Sequence, residues 1–339
     1  MDTPKSQPVQ YSLFQHSLCD TAADAEKYSN TIELYDAMPK YFASRQVMAA
    51  AREGGKYLPI LRREFEHRGE AYTVEITPAR YVDRQDREME YYPGPQEELV
   101  EEALKKIACD RLNGIFLNDS AGVQFTMYEL RQELKRRGHG MHLHALIRSL
   151  TICRRAQVAI RKRGGDGRKV YMDSSIFPTL VIAGRDDWQQ DPKQTRCYVQ
   201  FNRLITHSIQ KLTYRQFNYE TFMRLRHPLS RWLCKRLSHH YTQASLIEPF
   251  HIRLSTIVRD SCLANARTLR HNTAHVRAVL EELREHDVLL DFRETPQTGK
   301  RRRMEDALYL LTPHPRFVDE VKKANKRQQN NPSPAARLK

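Results

Sequence analysis

Apolar residues recur along this chain with two periods, and the periods alternate in a repeated order. From Lys56 the pattern opens on strand formers. Tyr57-Leu58-Pro59-Ile60-Leu61 comes first, then Ala71-Tyr72-Thr73-Val74-Glu75-Ile76, which alternates in and out. Pro93-Gly94-Pro95 breaks the chain. Residues 97–112 follow as an acidic-started amphipathic helix with Leu99, Ala103, Leu104 and Ile107 on one face. Residues 122–125 form a short strand. Thr126 is placed to cap a helix over 127–137, with Glu129 in its first turn. Gly138 and Gly140 mark a tight turn. A second helix over 141–155 carries Leu143, Leu146, Ile147 and Leu150 at i, i+3, i+4, i+7. Two strands, 157–162 and 169–173, flank Gly164-Gly165-Asp166-Gly167.

The same order returns downstream. Pro228 suits the first turn of a helix marked by Leu229, Trp232, Leu233 and Leu237. A short strand covers 250–254, and Ser255 is placed to cap a helix over 256–263. The next helix, 273–285, carries Val276, Val279, Leu280 and Leu283 at the same spacing. Strands 288–293 and 307–311 follow, joined by a loop with Thr298-Gly299-Lys300. Helix, short strand, helix, helix, hairpin is the winged-helix order, in which the second helix of the pair enters the major groove. The fold class read from the pattern is α+β: two tandem winged-helix domains with a flexible N-terminal arm and a basic C-terminal tail. The boundaries are 1–55 for the arm, with one short helix near 35–50, then 56–215 and 216–315 for the two domains. Residues 316–339 are the tail, with Lys322, Lys323, Lys326 and Arg327 ahead of Asn330-Asn331-Pro332. That tail reads as disordered, in non-specific contact with phosphate.

Charge gives the folds a partner. The net charge is +15 and the pI about 9.6, which favours a polyanion. No apolar run approaches the ~18 residues a membrane span needs, and the N-terminus lacks the basic-then-apolar order of a secretory signal. With a mean hydropathy of −0.70, a soluble cytoplasmic protein with no membrane partner is expected. Cys19, Cys109, Cys153, Cys197, Cys234 and Cys262 form no Cys-x-x-Cys pair, so they read as small buried thiols in a reducing compartment rather than as a zinc or redox motif. No metal and no cofactor is expected.

The basic residues gather where a winged helix meets DNA. The first hairpin carries Arg161, Lys162 and Arg163, then Arg168 and Lys169; the second carries Lys300, Arg301, Arg302 and Arg303. Such side chains sit on phosphates or enter the minor groove. Candidate base readers are His142, His144, Arg148 and Ser149 on the first helix, and Arg267, Arg270, Asn272, Thr273, His275 and Arg277 near the second. Arg reads guanine and Asn reads adenine through paired hydrogen bonds. Two linked modules bind at high effective concentration, which suits a long, non-palindromic site.

Ahead of the domains stands Gln10-Tyr11-Ser12-Leu13-Phe14, an apolar pair in a polar arm. Leu13 and Phe14 are anchors for a hydrophobic pocket, with Gln10 and Ser12 beside them. The stretch resembles the segment by which bacterial replication proteins bind the sliding clamp. Further stretches carry a wider resemblance: Tyr91-Tyr92-Pro93-Gly94-Pro95-Gln96-Glu97-Glu98-Leu99-Val100, Phe125-Thr126-Met127-Tyr128-Glu129-Leu130, and Leu225-Arg226-His227-Pro228-Leu229-Ser230-Arg231-Trp232-Leu233. Through them residues 56–315 resemble bacterial plasmid replication initiators of the TrfA and RepA kind. In that family the clamp motif is Gln-Leu-Ser-Leu-Phe, and here Tyr11 replaces the usual Leu. The resemblance implies binding to repeated origin sequences (iterons) in double-stranded DNA and opening of an AT-rich segment. It implies as partners the host sliding clamp, replicative helicase, polymerase and host initiator, with a monomer–dimer equilibrium.

Two other readings stand beside this one. His142-Leu143-His144 has the His-hydrophobic-His form of rolling-circle nickases, which place the pair on a strand to hold a metal. Here it falls at a helix start, where i and i+2 point to different faces, and no acidic cluster lies nearby. A tandem winged-helix transcriptional regulator is the other reading, and the clamp-like peptide is what separates an initiator from it. No Gly-x-x-x-x-Gly-Lys-Ser/Thr loop is present, so an ATP-driven engine is disfavoured and no enzymatic activity is expected. Neutralising Lys300 to Arg303 is expected to weaken specific and random DNA alike and to flatten the salt dependence by about 0.9 for each phosphate no longer neutralised. Binding titrations across a salt series check this, and an unmoved affinity would take the second wing off the phosphates.

Overall fold

The computed structural model describes residues 10–11, 26–52, 57–83, 85–109, 113–117, 119–163, 170–183, 195–211, 213–264, 268–299 and 304–330. In chain order the first elements are β1 (Gln10–Tyr11), β2 (Tyr28–Ile32), α1 (Glu33–Ala37) and α2 (Arg45–Arg52). Then come β3 (Leu61–His67), β4 (Glu70–Thr77), β5 (Ala79–Val82), β6 (Glu88–Tyr91) and α3 (Pro95–Cys109). The first helix-turn-helix unit has β7 (Gly114–Leu117), β8 (Ser120–Phe125), α4 (Met127–Arg136), α5 (Leu143–Arg155), β9 (Gln157–Lys162) and β10 (Val170–Ser175). It closes with β11 (Thr179–Val181), β12 (Cys197–Gln200), α6 (Arg203–Lys211), β13 (Tyr214–Asn218) and α7 (Tyr219–Arg224). The second unit has α8 (Pro228–His240), β14 (Phe250–Arg253), α9 (Leu254–Ser261), α10 (Leu269–Glu285), β15 (Leu289–Thr298), β16 (Met304–Pro313) and α11 (Pro315–Asn330). Among the described residues no helix is long and apolar enough to cross a membrane.

Each unit has its own large apolar core. Leu130, Leu134, Leu146, Leu150, Val158 and Ile160 belong to the first, and Leu233, Leu254, Ile257, Val276, Leu280 and Leu311 to the second. The helical stripes read from the sequence supply both, so burial of these stripes is what drives each unit to fold. The second unit has the three-stranded winged-helix sheet, in the order β14-β16-β15. Asp306 on β16 accepts from the Ser255 backbone N–H (3.0 Å) and hydroxyl (2.6 Å), pinning the start of α9 to the sheet. Ser255 is therefore inside the first turn of α9 rather than its N-cap; Arg253 holds the cap position.

The first unit keeps the element order but pairs its strands differently. β8 joins a five-stranded sheet, β1-β7-β8-β12-β11, while the wing strands β9 and β10 join β4 and β3 in the order β10-β9-β4-β3. β4 takes the edge of β9 because its inward residues match: Val74 opposes Ile160 and Ile76 opposes Val158.

Two expectations at the ends of the chain are corrected. The arm does not extend to residue 55. β2 pairs with β13, and Ile32, Tyr35, Met38 and Phe42 enter the first core. The tail is not a disordered segment over 316–330. α11 packs Phe317, Val318 and Val321 into the second core. Its far end reaches the first unit, where Arg215 donates to Asn325 Oδ1 (2.6 Å) and Arg327 donates to Asn30 Oδ1 (3.0 Å). The polar side of α3 is buried as well: Glu101, Glu102, Lys105 and Lys106 are all fully buried.

Those buried charges face a polar side of α8 and hold the units together. Asp36 Oδ1 lies 3.2 Å from Lys105, 3.1 Å from Lys235 and 4.0 Å from Lys40. Its Oδ2 accepts from the Thr31 hydroxyl (2.5 Å) and the Ile32 N–H (2.7 Å). Lys235 also meets Glu102 at 2.7 Å, and Arg231 meets Glu98 at 2.8 Å. Glu101 accepts from the hydroxyls of Tyr35 and Tyr41. Burial pushes the Asp36 carboxyl up, but Lys105, Lys235 and Lys40 outweigh it and hold the group well below its usual range.

His239 sits at the same interface, 2.9 Å from the Thr31 hydroxyl, and burial pushes its pKa down to about 3. His239 is thus neutral in the fold, while an unfolded histidine titrates near 6.5. Its contribution is fully present above pH ~6.5 and is lost as pH falls below that, at about 1.4 kcal/mol per unit. Chemical denaturation is expected to show wild-type stability declining from pH ~6.5 downward. At neutral pH, Asp36→Asn is expected to cost about 3–5 kcal/mol, because it leaves ammonium groups buried without their carboxylate. An Asp36→Asn protein as stable as wild type would refute the structural role of the cluster.

Candidate nucleic-acid interface

The first helix pair is built around its turn. Thr126 Oγ1 accepts from the Glu129 N–H (3.0 Å), and Glu129 Oε2 accepts from the Thr126 N–H (2.7 Å), a reciprocal cap at the start of α4. Gly138 takes φ +85°, a left-handed turn open to glycine, and His139 N–H closes on the Leu134 carbonyl at 2.7 Å. This turn ends α4 and aims α5 across it.

On α5, His142 and His144 are exposed at the first turn. Ser149 is buried and donates to Glu97 at 2.8 Å, so it is a core contact and not a reader. Arg148 is half-buried, its guanidinium 5.9 Å from the Tyr91 ring centre. The hairpin of β5 and β6 covers the later part of α5: Ala79 packs with Ile152 and Ala156, and Arg155 donates to the Arg80 carbonyl at 3.2 Å. The open part of α5 is its N-terminal turn, the part a recognition helix presents to base edges.

The first wing is basic but paired. Arg161 lies 3.5 Å from Glu75, Lys162 3.0 Å from Glu70, and Arg163 2.6 Å from Glu64. Arg168 and Lys169 lie outside the described residues, as do Arg267 and the second-wing residues Lys300, Arg301, Arg302 and Arg303.

In the second unit Thr268 caps α10, accepting from the His271 N–H at 3.4 Å. α10 begins four residues before the expected start, so Arg270, Asn272 and Thr273 are helical. Arg270 and Arg277 are exposed, and His275 is half-buried against the His227 ring, 6.1 Å away. Burial, then the charge of His227, pushes the His275 pKa down. Asn272 and Thr273 are corrected: both are buried, and the Thr273 hydroxyl donates to the Leu269 carbonyl at 2.9 Å. The apolar stripe foretells this, because Asn272 and Thr273 stand four and three residues before Val276 and share its face. The same geometry exposes His271 and Ala274, which composition does not single out. Arg277 is committed to the wing strand β15, with Nε 2.6 Å and Nη2 2.8 Å from the two oxygens of Glu294. That bidentate pair fixes the angle between α10 and its wing.

No cluster of three or more His, Cys, Asp or Glu side chains that could hold a metal occurs among the described residues. Among the described residues, the two helix starts offer exposed imidazole and guanidinium donors, and the first hairpin offers cations.

No family model matches the chain, and no curated protein matches it. Solved structures with a similar arrangement include the selenomethionine derivative of domains 2 and 3 of RctB. It has a TM-score of 0.48 and 9% identity, covering 81% of this chain and 95% of that one. A further structure of RctB domains 2–3 has a TM-score of 0.43 and 10% identity, over 78% and 94% of the two chains. The Pi initiator protein in complex with iteron DNA has a TM-score of 0.41 and 10% identity, over 65% and 91%.

Arg270→Ala and His271→Ala are expected to lower affinity for a selected duplex by about 1–3 kcal/mol each without changing thermal stability. Asn272→Ala is expected to lower stability by about 1–3 kcal/mol instead and to leave base preference intact. Binding and melting measured on the same three proteins separate these roles; a shifted base preference in Asn272→Ala would return that residue to the interface.

Proposed function

We propose that the chain is a replication initiator that binds repeated origin sites in double-stranded DNA, promotes opening of the adjacent duplex and recruits host replication proteins, the sliding clamp among them. The observation that carries this reading is the pair of helix-turn-helix units, each followed by a hairpin and the first hairpin carrying Arg161, Lys162 and Arg163, joined through buried ion pairs into one body. Exposed donors at the starts of α5 and α10 are suited to base edges, and the +15 net charge is suited to the backbone. Two different units on one chain suit an asymmetric site repeated in one direction. A palindrome calls instead for identical units related by a two-fold axis.

The clamp contact is assigned to Gln10, Ser12, Leu13 and Phe14. The backbone of Gln10 and Tyr11 runs antiparallel to Gly114 and Ile115, and Ser12, Leu13 and Phe14 lie outside the described residues. The reading rests there on residue type: two apolar anchors beside hydrogen-bonding side chains. This peptide is also what favours an initiator over a regulator of the same fold, since a regulator has no use for it.

Selection from a random duplex library tests the DNA half of the proposal. A long asymmetric site is expected, and a short palindrome would overturn it. Leu13→Ala with Phe14→Ala tests the other half. Affinity for the host clamp is expected to fall by at least about tenfold, consistent with the removal of two apolar anchors, while duplex affinity holds. Equal clamp binding by the variant and the wild type would remove the motif from the mechanism.

A further inference from the structure

The first wing is not free to meet DNA as its sequence suggests. β4 pairs along β9 so that Thr73 opposes Arg161 and Tyr72 opposes Lys162, and the Arg163 N–H closes on the Ala71 carbonyl at 2.8 Å. β3 pairs along the other edge of β4, with Arg62 opposite Glu75 and Glu64 opposite Thr73. Because side chains alternate across a sheet, Glu64, Glu75 and Arg161 share one face. The result is a ladder of charges on that face: Glu75 stands between Arg62 (2.8 Å) and Arg161 (3.5 Å), and Glu64 holds Arg163 at 2.6 Å. At the end of the sheet, on the opposite face, Glu70 holds Lys162 at 3.0 Å. The ladder continues into the second unit, where Arg259 of α9 meets Glu66 at 2.8 Å.

We propose that the β3–β4 hairpin is an electrostatic restraint on the first wing. Its carboxylates hold Arg161, Lys162 and Arg163, so that DNA gains these cations only by displacing Glu75, Glu70 and Glu64. This rests on the DNA-binding reading above and deepens it by naming residues that set the ratio of specific to non-specific affinity. The Lys162–Glu70 and Arg163–Glu64 pairs are solvent-facing, and Arg161 stands 3.5 Å from the more buried Glu75, so each cation is held weakly and phosphate can replace the carboxylate. Replacement has a cost all the same, and the displaced carboxylates stay close to the phosphates and repel them. A duplex that also offers base contacts to α5 and α10 offsets that cost. A random duplex offers only phosphates, the interaction on which non-specific binding depends, and so is weakened most.

The test uses the full chain and a random-sequence duplex long enough to span both units, followed by fluorescence anisotropy across a salt series. Glu64→Gln, Glu70→Gln and Glu75→Gln are made singly and together, with Glu248→Gln as a control. Glu248 is an exposed carboxylate in the segment before β14, outside the ladder. Each single ladder variant is expected to bind random DNA about two- to threefold tighter, the gain expected from freeing one weakly held surface cation. The triple variant is expected to bind about tenfold tighter or more, with the slope of log K against log salt steeper by about two to three. Glu248→Gln is expected to match wild type. Equal affinities and slopes for wild type and the triple variant, or an equal gain from Glu248→Gln, overturn the restraint while leaving the DNA-binding reading standing. A folded wild type that binds no duplex overturns both. Melting curves accompany the set; if the triple variant is unfolded, Glu70→Gln decides, since Glu70 and Lys162 are both exposed and their pair has no core role.

Discussion

Asp36, sealed among Lys40, Lys105 and Lys235, is the contact on which the arrangement of the molecule depends. It lies on the N-terminal segment, Lys105 on the central helix of the first unit, and Lys235 on the opening helix of the second. A buried ion cluster of this kind contributes little net stability over a hydrocarbon surface of the same shape, because desolvation offsets much of the attraction. What it contributes is exclusiveness. An apolar interface tolerates sliding and rotation, whereas this one pairs Asp36 and Glu102 with Lys235, and Glu98 with Arg231, in a single docking. The orientation of α10 relative to α5 follows from it, and in the proposed function that orientation would set the spacing at which two major-groove faces are met.

The secondary contacts reinforce the same junction. β2 and β13 bring Asn30 and Arg215 to α11, and α11 is rooted in the second core through Phe317 and Val321. The chain thus ties its units together through the N-terminal segment, the connection after α7, and the C-terminal helix. A tandem of independent modules on a flexible linker would gain only effective concentration. Here the second module is pre-oriented, which in the proposed function would lower the entropic cost of ordering both on one duplex.

What is legible in the sequence follows from where apolar groups do the packing. Both helix pairs and both hairpins follow from stripes such as Val276-Val279-Leu280-Leu283, and the Thr126 cap stands at its expected position. The junction is not legible, because its elements are polar. Ser29, Asn30 and Thr31 are fully buried in β2, yet their pattern reads as loop. The charged side of α3 reads as a solvated face, since hydropathy cannot tell a carboxylate in water from one facing a lysine on another element. α11 is hidden by its lysines, although Phe317, Val318, Val321 and Ala324 already trace a helical stripe beneath them. At the candidate interface the difference is one of phase: side-chain chemistry points to Asn272 as a reader, while the stripe that places Val276 inside places Asn272 there too.

The same carboxylate–cation chemistry serves two ends in this molecule, and burial decides which. Between the units, water is excluded and the pairs are strong, mutually dependent and costly to open, so they fix geometry. On the outer face of the β3–β4–β9 sheet and at its open end, the Glu64 and Glu70 pairs stand in solvent, where salt screens them and, in the proposed function, phosphate would substitute for either carboxylate. The count of 56 Lys and Arg side chains therefore overstates the free cations that a polyanion would meet on first approach, because wing cations are already paired. Fixed pairs inside and exchangeable pairs outside are complementary requirements for reading a long site. Under the proposed function the frame would hold α5 and α10 in register, while the wing cations would yield to DNA only where base contacts make up the difference.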